Sequence, residues 1–228
     1  MTSERKSELY FEEIGADFDN FMSQYDVSRR KALIERLLAR ATVAGKAMEV
    51  GCGTGAITPV LLNRGLNVTV GDISLKLAQE TAQRFNVSGM ECDATHIALP
   101  DRSYGLVISS EVIEHVPDPH AALREMARIT APDGYLIVTS PNKLWYPLLW
   151  ISVKLGVRKF AGNEIWLWPW EAAKILRESG LEVVQISGCH LFPWQLPLAK
   201  KILPFLDLLG NYLWPCMINW GILAKRSS

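Results

Sequence analysis

Met48-Glu49-Val50-Gly51-Cys52-Gly53-Thr54-Gly55 is the stretch that decides the fold. A short apolar run, 47–50, reads as a buried strand. It ends in three glycines spaced by two, and a helical pattern over 58–64 follows and stops near Gly65. Glycines at such a strand-to-helix turn allow a tight bend and close approach of a ligand to the main chain. Working outward, the same alternation continues. Residues 67–71 predict a second strand and 74–85 a second helix, with the Ser74 hydroxyl as its N-cap. Strands follow at 89–92 and 104–109. A helix at 118–130 opens on Asp118 and Pro119, and the turn Pro132-Asp133-Gly134 leads into a strand at 135–140. Upstream, apolar residues at 33, 34, 37, 38 and 41 mark one face of a helix over 28–41. Downstream come a helix over 170–179, a strand over 181–186, a helix near 198–209 and a last strand near 218–224. Strands alternating with helices through short connections imply a mostly parallel α/β sheet, doubly wound, with helices on both faces.

Three acidic residues restrict what the glycine loop holds. Glu49 sits at the first strand's end, where a carboxylate meets a cation rather than a pyrophosphate. Asp72 ends the second strand, 21 residues after Gly51, where an acid holds ribose hydroxyls. Asp93 follows the third strand and offers an acceptor to an adenine amino group. A positive charge, a ribose and an adenine together describe S-adenosylmethionine (SAM). Gly51, Gly53 and Ala56 also satisfy the dinucleotide spacing, so an NAD-dependent reductase is the rival. Glu49 and Asp93 disfavour it, and no hydride-transfer constellation is evident.

The chain resembles the class I SAM-dependent methyltransferases. The resemblance spans about 25–141 and, more loosely, 165–187. It is carried by the 49–55 loop, Asp72, Cys92-Asp93-Ala94 and Ala131-Pro132-Asp133-Gly134-Tyr135-Leu136. It implies a Rossmann-like sheet of seven strands with the last antiparallel. It also implies SAM contacts from Glu49, Gly51, Cys52, Gly53, Gly55, Asp72, Ile73, Asp93, Ala94 and Ser110. A helix before the first strand closes over the cofactor in that family. Tyr25 and Arg29, or its neighbour Arg30, are the candidates to meet the SAM carboxylate; a solvated helix start is the plainer reading of all three.

After the fourth strand comes Ser109-Ser110-Glu111-Val112-Ile113-Glu114-His115-Val116-Pro117. On one helical turn Glu111, Glu114 and His115 would share a face. Three readings stand open: a divalent ion such as Mg²⁺ or Mn²⁺ held by all three side chains, His115 as a general base beside a carboxylate, or a turn that only contacts SAM. The stretch is similar to segments in the quinone-biosynthesis O-methyltransferases and in enzymes that methylate the 3′-terminal ribose of small RNAs, and both are associated with a divalent metal there. Thr139-Ser140-Pro141-Asn142 resembles the quinone group. The RNA group's additional histidine has no counterpart in Asn163-Glu164-Ile165-Trp166-Leu167-Trp168, where Glu164 is the available substitute.

Composition divides the 228 residues at about 142. All eight tryptophans lie between Trp145 and Trp220. Residues 1–141 carry 14 basic and 19 acidic side chains, and 142–228 carry 10 and 5, so zero net charge conceals an acidic front and a basic back. The chain reads as a single domain: N-terminal helices and lid at 1–45, SAM-binding core at 46–141, and Trp-rich substrate-side segments at 142–228. Cys52, Cys92, Cys189 and Cys216 have no C-x-x-C spacing, which reads as a reducing, cytoplasmic setting without structural zinc. The longest charge-free run, 208–224, is short for a bilayer span. Tryptophan and lysine in apolar segments suit three partners: a membrane surface or lipid-like acceptor, an ordinary pocket wall, or a second copy in a homodimer. Zero net charge argues against nucleic acid. The reading that follows is O-methylation of an apolar small molecule. An RNA-end methyltransferase and a SAM-sensing module without chemistry are the alternatives.

Overall fold

The computed structural model describes residues 23–154 and 164–228. The lid positions before Ser23, and Arg158, Lys159 and Asn163, lie outside them. Among the described residues the strands are β1 (Lys46–Val50), β2 (Asn67–Asp72), β3 (Ser88–Glu91), β4 (Tyr104–Ser110), β5 (Thr130–Pro141), β6 (Leu181–Cys189) and β7 (Asn219–Arg226). The helices are α1 (Gln24–Leu38), α2 (Thr58–Leu62), α3 (Leu75–Phe85), α4 (Pro119–Ile129), α5 (Tyr146–Lys154), α6 (Pro169–Glu178), α7 (Ala199–Leu206) and α8 (Gly210–Leu213).

The sheet order is β3-β2-β1-β4-β5-β7-β6, and β7 runs antiparallel to both of its neighbours. Strand alternation sorts the core into two faces. Met48 and Val50 of β1 join Val107, Leu136, Val138 and Ile222 on one face, under Leu123 and Met126 of α4 and Leu176 of α6. Ala47, Leu106, Ile137 and Leu223 point to the other, under α1. Leu33, Ile34, Leu37 and Leu38 of α1 are fully buried. At about 1.5–3 kcal/mol each, their burial gives α1 on the order of 10 kcal/mol of gross docking energy before ordering costs. The apolar spacing that predicted this helix is the stripe it buries.

Chain order reverses between β1 and β4: β2 and β3 lie on one side, and β4, β5, β7 and β6 on the other. Strand ends splay there, and a crevice opens beyond their carboxyl ends. Several elements exceed the sequence reading: β6 and β7 run two to three residues further, α5 is unannounced, and two differences bear on the site. β5 starts at Thr130, since Tyr104 pairs with Thr130 before the register shifts to Leu106 opposite Tyr135. α1 starts at Gln24 rather than 28, which carries Tyr25, Asp26 and Val27 onto the helix, one turn ahead of Arg29 and Arg30.

Candidate active site

The crevice is lined by β1 and its loop (Glu49, Gly51, Cys52, Gly53), by the end of β2 (Asp72, Ile73), by Asp93 and Ala94 after β3, and by Ser110 and Glu111 at the end of β4. Its outer wall is Val112, His115, Val116 and Pro117, and α1 contributes Val27 and Arg30.

Local chemistry holds the loop in shape. Gly51 adopts φ +74, a left-handed conformation, and an added Cβ would lie 2.3 Å from Val112 Cγ2. Only glycine meets both conditions. The Gly53 N–H donates to Asp72 Oδ2 at 2.8 Å, and the Ser74 N–H donates to Asp72 Oδ1 at 3.0 Å. The β2 acid therefore braces the glycine loop as well as facing the crevice. Ser74 also caps α3, accepting from the Leu77 N–H. After β3, Asp93 Oδ1 accepts from the Thr95 N–H at 2.8 Å and its hydroxyl at 2.7 Å.

Glu49 is buried and accepts from the Thr58 hydroxyl at 2.7 Å. Burial pushes its carboxyl up to about 8; the Thr58 bond offsets part of this and neighbouring Asp72 adds to it. Asp72 is also raised, chiefly by burial, against the pull of main-chain N–H groups. Two reluctant carboxyls beside each other favour a cationic guest, which would relieve both. Burial raises the Cys52 thiol as well, so this cysteine is an inert wall rather than a nucleophile.

Three sequence expectations are corrected. Tyr25 and Arg29 do not line the crevice. Arg29 Nε donates to Asp207 Oδ2 at 2.7 Å, and the Tyr25 ring lies 5.9 Å from His190 and 6.5 Å from Trp194. Residues 29 and 30 are about 100° apart on a helix, so only one of the pair can face the cofactor side. That one is Arg30, which pairs with Asp26 at 2.9 Å. Gly55 likewise stands back from the crevice. At φ +82 it seats the loop on α3, where a Cβ would meet Phe85 and Thr81.

The third correction concerns Glu111, Glu114 and His115. Glu111 sits at φ +58, outside the helical region, so the three side chains do not share a helical face. Glu111 Oε1 accepts from the Thr139 hydroxyl at 2.9 Å and Oε2 from Asn219 Nδ2 at 2.7 Å. Glu114 Oε2 accepts from the Ser140 hydroxyl at 3.2 Å. Burial raises both carboxyls, Glu114 most, with Glu111 adding to it. Among the described residues no group of three His, Cys, Asp or Glu side chains is placed to hold a metal ion. The two glutamates fasten β4 to β5 and β7, and the donor set does not fit a divalent cation. His115 remains in the crevice, its Nε2 4.0 Å from Glu114 Oε1.

Residues 48–138 match the family model described as a methyltransferase domain. Those residues carry a class I SAM-dependent methyltransferase domain, and the chain is similar to the ubiquinone-biosynthesis O-methyltransferases. Its relatives include the ubiquinone biosynthesis O-methyltransferase of Xanthomonas axonopodis pv. citri, 28% identical over 177 residues, which are 71% of this chain and 73% of that protein. The Neisseria meningitidis protein of the same name is 27% identical over 183 residues, 74% of this chain and 76% of its own. In fold, the methyltransferase is similar to N-methyltransferase NodS from Bradyrhizobium japonicum, solved with S-adenosyl-L-homocysteine (TM-score 0.66, 15% identity, all of both chains). It is also similar to a possible histamine N-methyltransferase from Thermotoga maritima (TM-score 0.70, 17% identity, 96% of this chain and 99% of that one).

The sequence reading missed the apolar lining from Val27, Ile57, Leu77, Val112 and Val116. Val112 and Val116 flank the histidine at odd spacings in a non-repetitive turn, so no periodicity marked them.

Proposed function

We propose that the chain transfers the SAM methyl group to a hydroxyl oxygen of an apolar, lipid-like small molecule, with His115 as the proton acceptor. One observation carries the reading. Glu49, Asp72 and Asp93 line the same crevice as Arg30 and as the His115 imidazole, with Val112 and Val116 beside it. The names of the ubiquinone-pathway relatives support the acceptor class.

SAM supplies an activated methyl group on a sulfonium. Glu49 faces the cationic end of the methionine part and Arg30 its carboxylate. Asp72 takes the ribose hydroxyls and Asp93 the adenine amino group. An acceptor hydroxyl held between Val112, Val116 and Pro117 gives its proton to a ring nitrogen of His115. Its oxygen forms the new bond to the methyl carbon, while the carbon–sulfur electrons stay on sulfur and S-adenosylhomocysteine leaves. Main-chain bonds to Asp72 fix the donor in line with the acceptor, which is the larger part of the rate gain.

Calorimetry and turnover test this. SAM is expected to bind, NADH is not, and Asp72→Ala is expected to abolish SAM binding. Binding of NADH in place of SAM would refute the donor. With a catechol or quinol acceptor, His115→Gln is expected to lower kcat by about 10²–10⁴ with SAM affinity unchanged. An unchanged kcat would remove His115 from proton transfer.

A further inference from the structure

Between β6 and β7 the chain runs through α7, a 3₁₀ turn (Asp207–Leu209) and α8 without a break. One side of this rod faces the protein. Ala199, Leu203, Asp207 and Gly210, at helical spacing, are all buried. The opposite side carries Leu198, Ile202, Phe205, Leu208, Leu209 and Tyr212, also at helical spacing, and all six are exposed, Phe205 at 72% and Tyr212 at 81%. A surface helix normally turns polar residues to water. Here both sides are apolar, and among the described residues nothing covers the outer stripe.

Charge selects the occupant. Lys200 and Lys201 are exposed. The sole carboxylate in 191–218, Asp207, is buried and bound to Arg29. The surface of this insertion is therefore apolar with cationic flanks. Lys200 Nζ stands 5.8 Å from the Trp194 ring centre and 5.7 Å from the Tyr25 ring centre, a cation beside aromatic surface. A two-fold dimer through this stripe would set one cationic patch against its copy, with no exposed carboxylate from the insertion to pair it. Anionic lipid headgroups supply the missing charge, and acyl chains accept the stripe.

We propose that the outer stripe of α7 and α8 is a docking surface for an anionic lipid bilayer, lying in the plane of the interface. No helix among the described residues is long and apolar enough to cross a membrane, which agrees with shallow seating. The surface lies outside the crevice, so it stands or falls apart from the identity of the methyl acceptor.

Flotation of the full chain decides it, with vesicles of phosphatidylcholine alone or containing phosphatidylglycerol. The protein is expected to float with the anionic vesicles and to be released by salt. Lys200→Gln with Lys201→Gln is expected to lower partitioning about thirty-fold, and Phe205→Ser with Leu208→Ser and Tyr212→Ser at least about ten-fold. SAM binding and melting temperature show that each variant remains folded. A protein that stays unbound with both vesicles overturns the proposal. So does flotation indifferent to the lysines. A dimer in sedimentation that the triple variant converts to monomer would assign the stripe to a second copy instead.

Discussion

The crevice-forming segment, 49–93, and the insertion between β6 and β7, 190–218, hang on the same sheet by different means. In the first, main chain does the holding. Glycines set the turn, the Gly53 and Ser74 N–H groups grip Asp72, and Thr95 grips Asp93. In the second, a few side chains fasten a long connection. Asp207 Oδ1 accepts from the His190 N–H at 2.8 Å and Oδ2 from Arg29, and its carbonyl accepts from Arg36. His190 Nε2 meets Asp26 at 3.0 Å, and Asn142 Nδ2 donates to the Pro215 and Met217 carbonyls. Main-chain geometry is local and survives surface change. A side-chain clasp lets the insertion vary in sequence, but concentrates its attachment in single residues.

The sharpest way to break the contrast is to cut the clasp. Asp207→Ala leaves Arg29 and the buried His190 N–H without their acceptor. It is expected to lower the unfolding free energy by about 3 kcal/mol in urea titration. Asp207→Asn keeps an acceptor and the volume, so it should cost less. Small, equal losses would mean that packing alone holds the insertion.

The loop offers the next test. Gly51→Ala adds strain at φ +74 of about 1–2 kcal/mol, and a clash with Val112 of about 1–3 kcal/mol. Thermal unfolding is expected to show their sum. Adding Val112→Ala should recover the clash and leave the strain. Full recovery would mean that the left-handed turn is not what requires glycine.

The same contrast explains what the sequence disclosed. Parallel strands buried on both faces are short apolar runs, and the 49–55 glycines punctuate them, so β1, β2 and β4 are readable to within a residue, while β5 starts five residues early and β6 runs three residues further. The seventh strand's direction came only with the resemblance. Side-chain clasps are long-range and leave no pattern. Nothing near Asp207 announces that Arg29, 178 residues away, will reach it. Arg29 was consequently placed on SAM rather than on the insertion. The glutamates failed for a different reason. Their spacing fits a helical turn, but Glu111 must enter the left-handed region as β4 ends, and its side chain turns into the sheet. Composition divides the chain at 142, but the tryptophans beyond that point serve unlike ends. Trp220 is fully buried in the core, while Trp150 and Trp170 are about half exposed.

The mildest test uses Glu49, whose carboxyl has an ordinary value of 4.5 and is pushed up to about 8 in the folded chain. The folded protein keeps a proton that the unfolded chain releases through that window. Stability of the ligand-free protein therefore falls as pH rises from 4.5 towards 8. A cation seated beside Glu49 favours the ionised form, so binding SAM below pH 8 must expel the proton. Affinity is then expected to rise with pH, at most about ten-fold per unit, and to level off above about 8. Calorimetry in buffers of different ionisation enthalpy would count the proton directly. Glu49→Gln keeps the shape and the Thr58 contact but has no proton to lose, so its profile should lose this component. An unchanged slope in the glutamine variant would assign the pH dependence to another group, and Glu49 would be part of the frame of the crevice rather than its cation site.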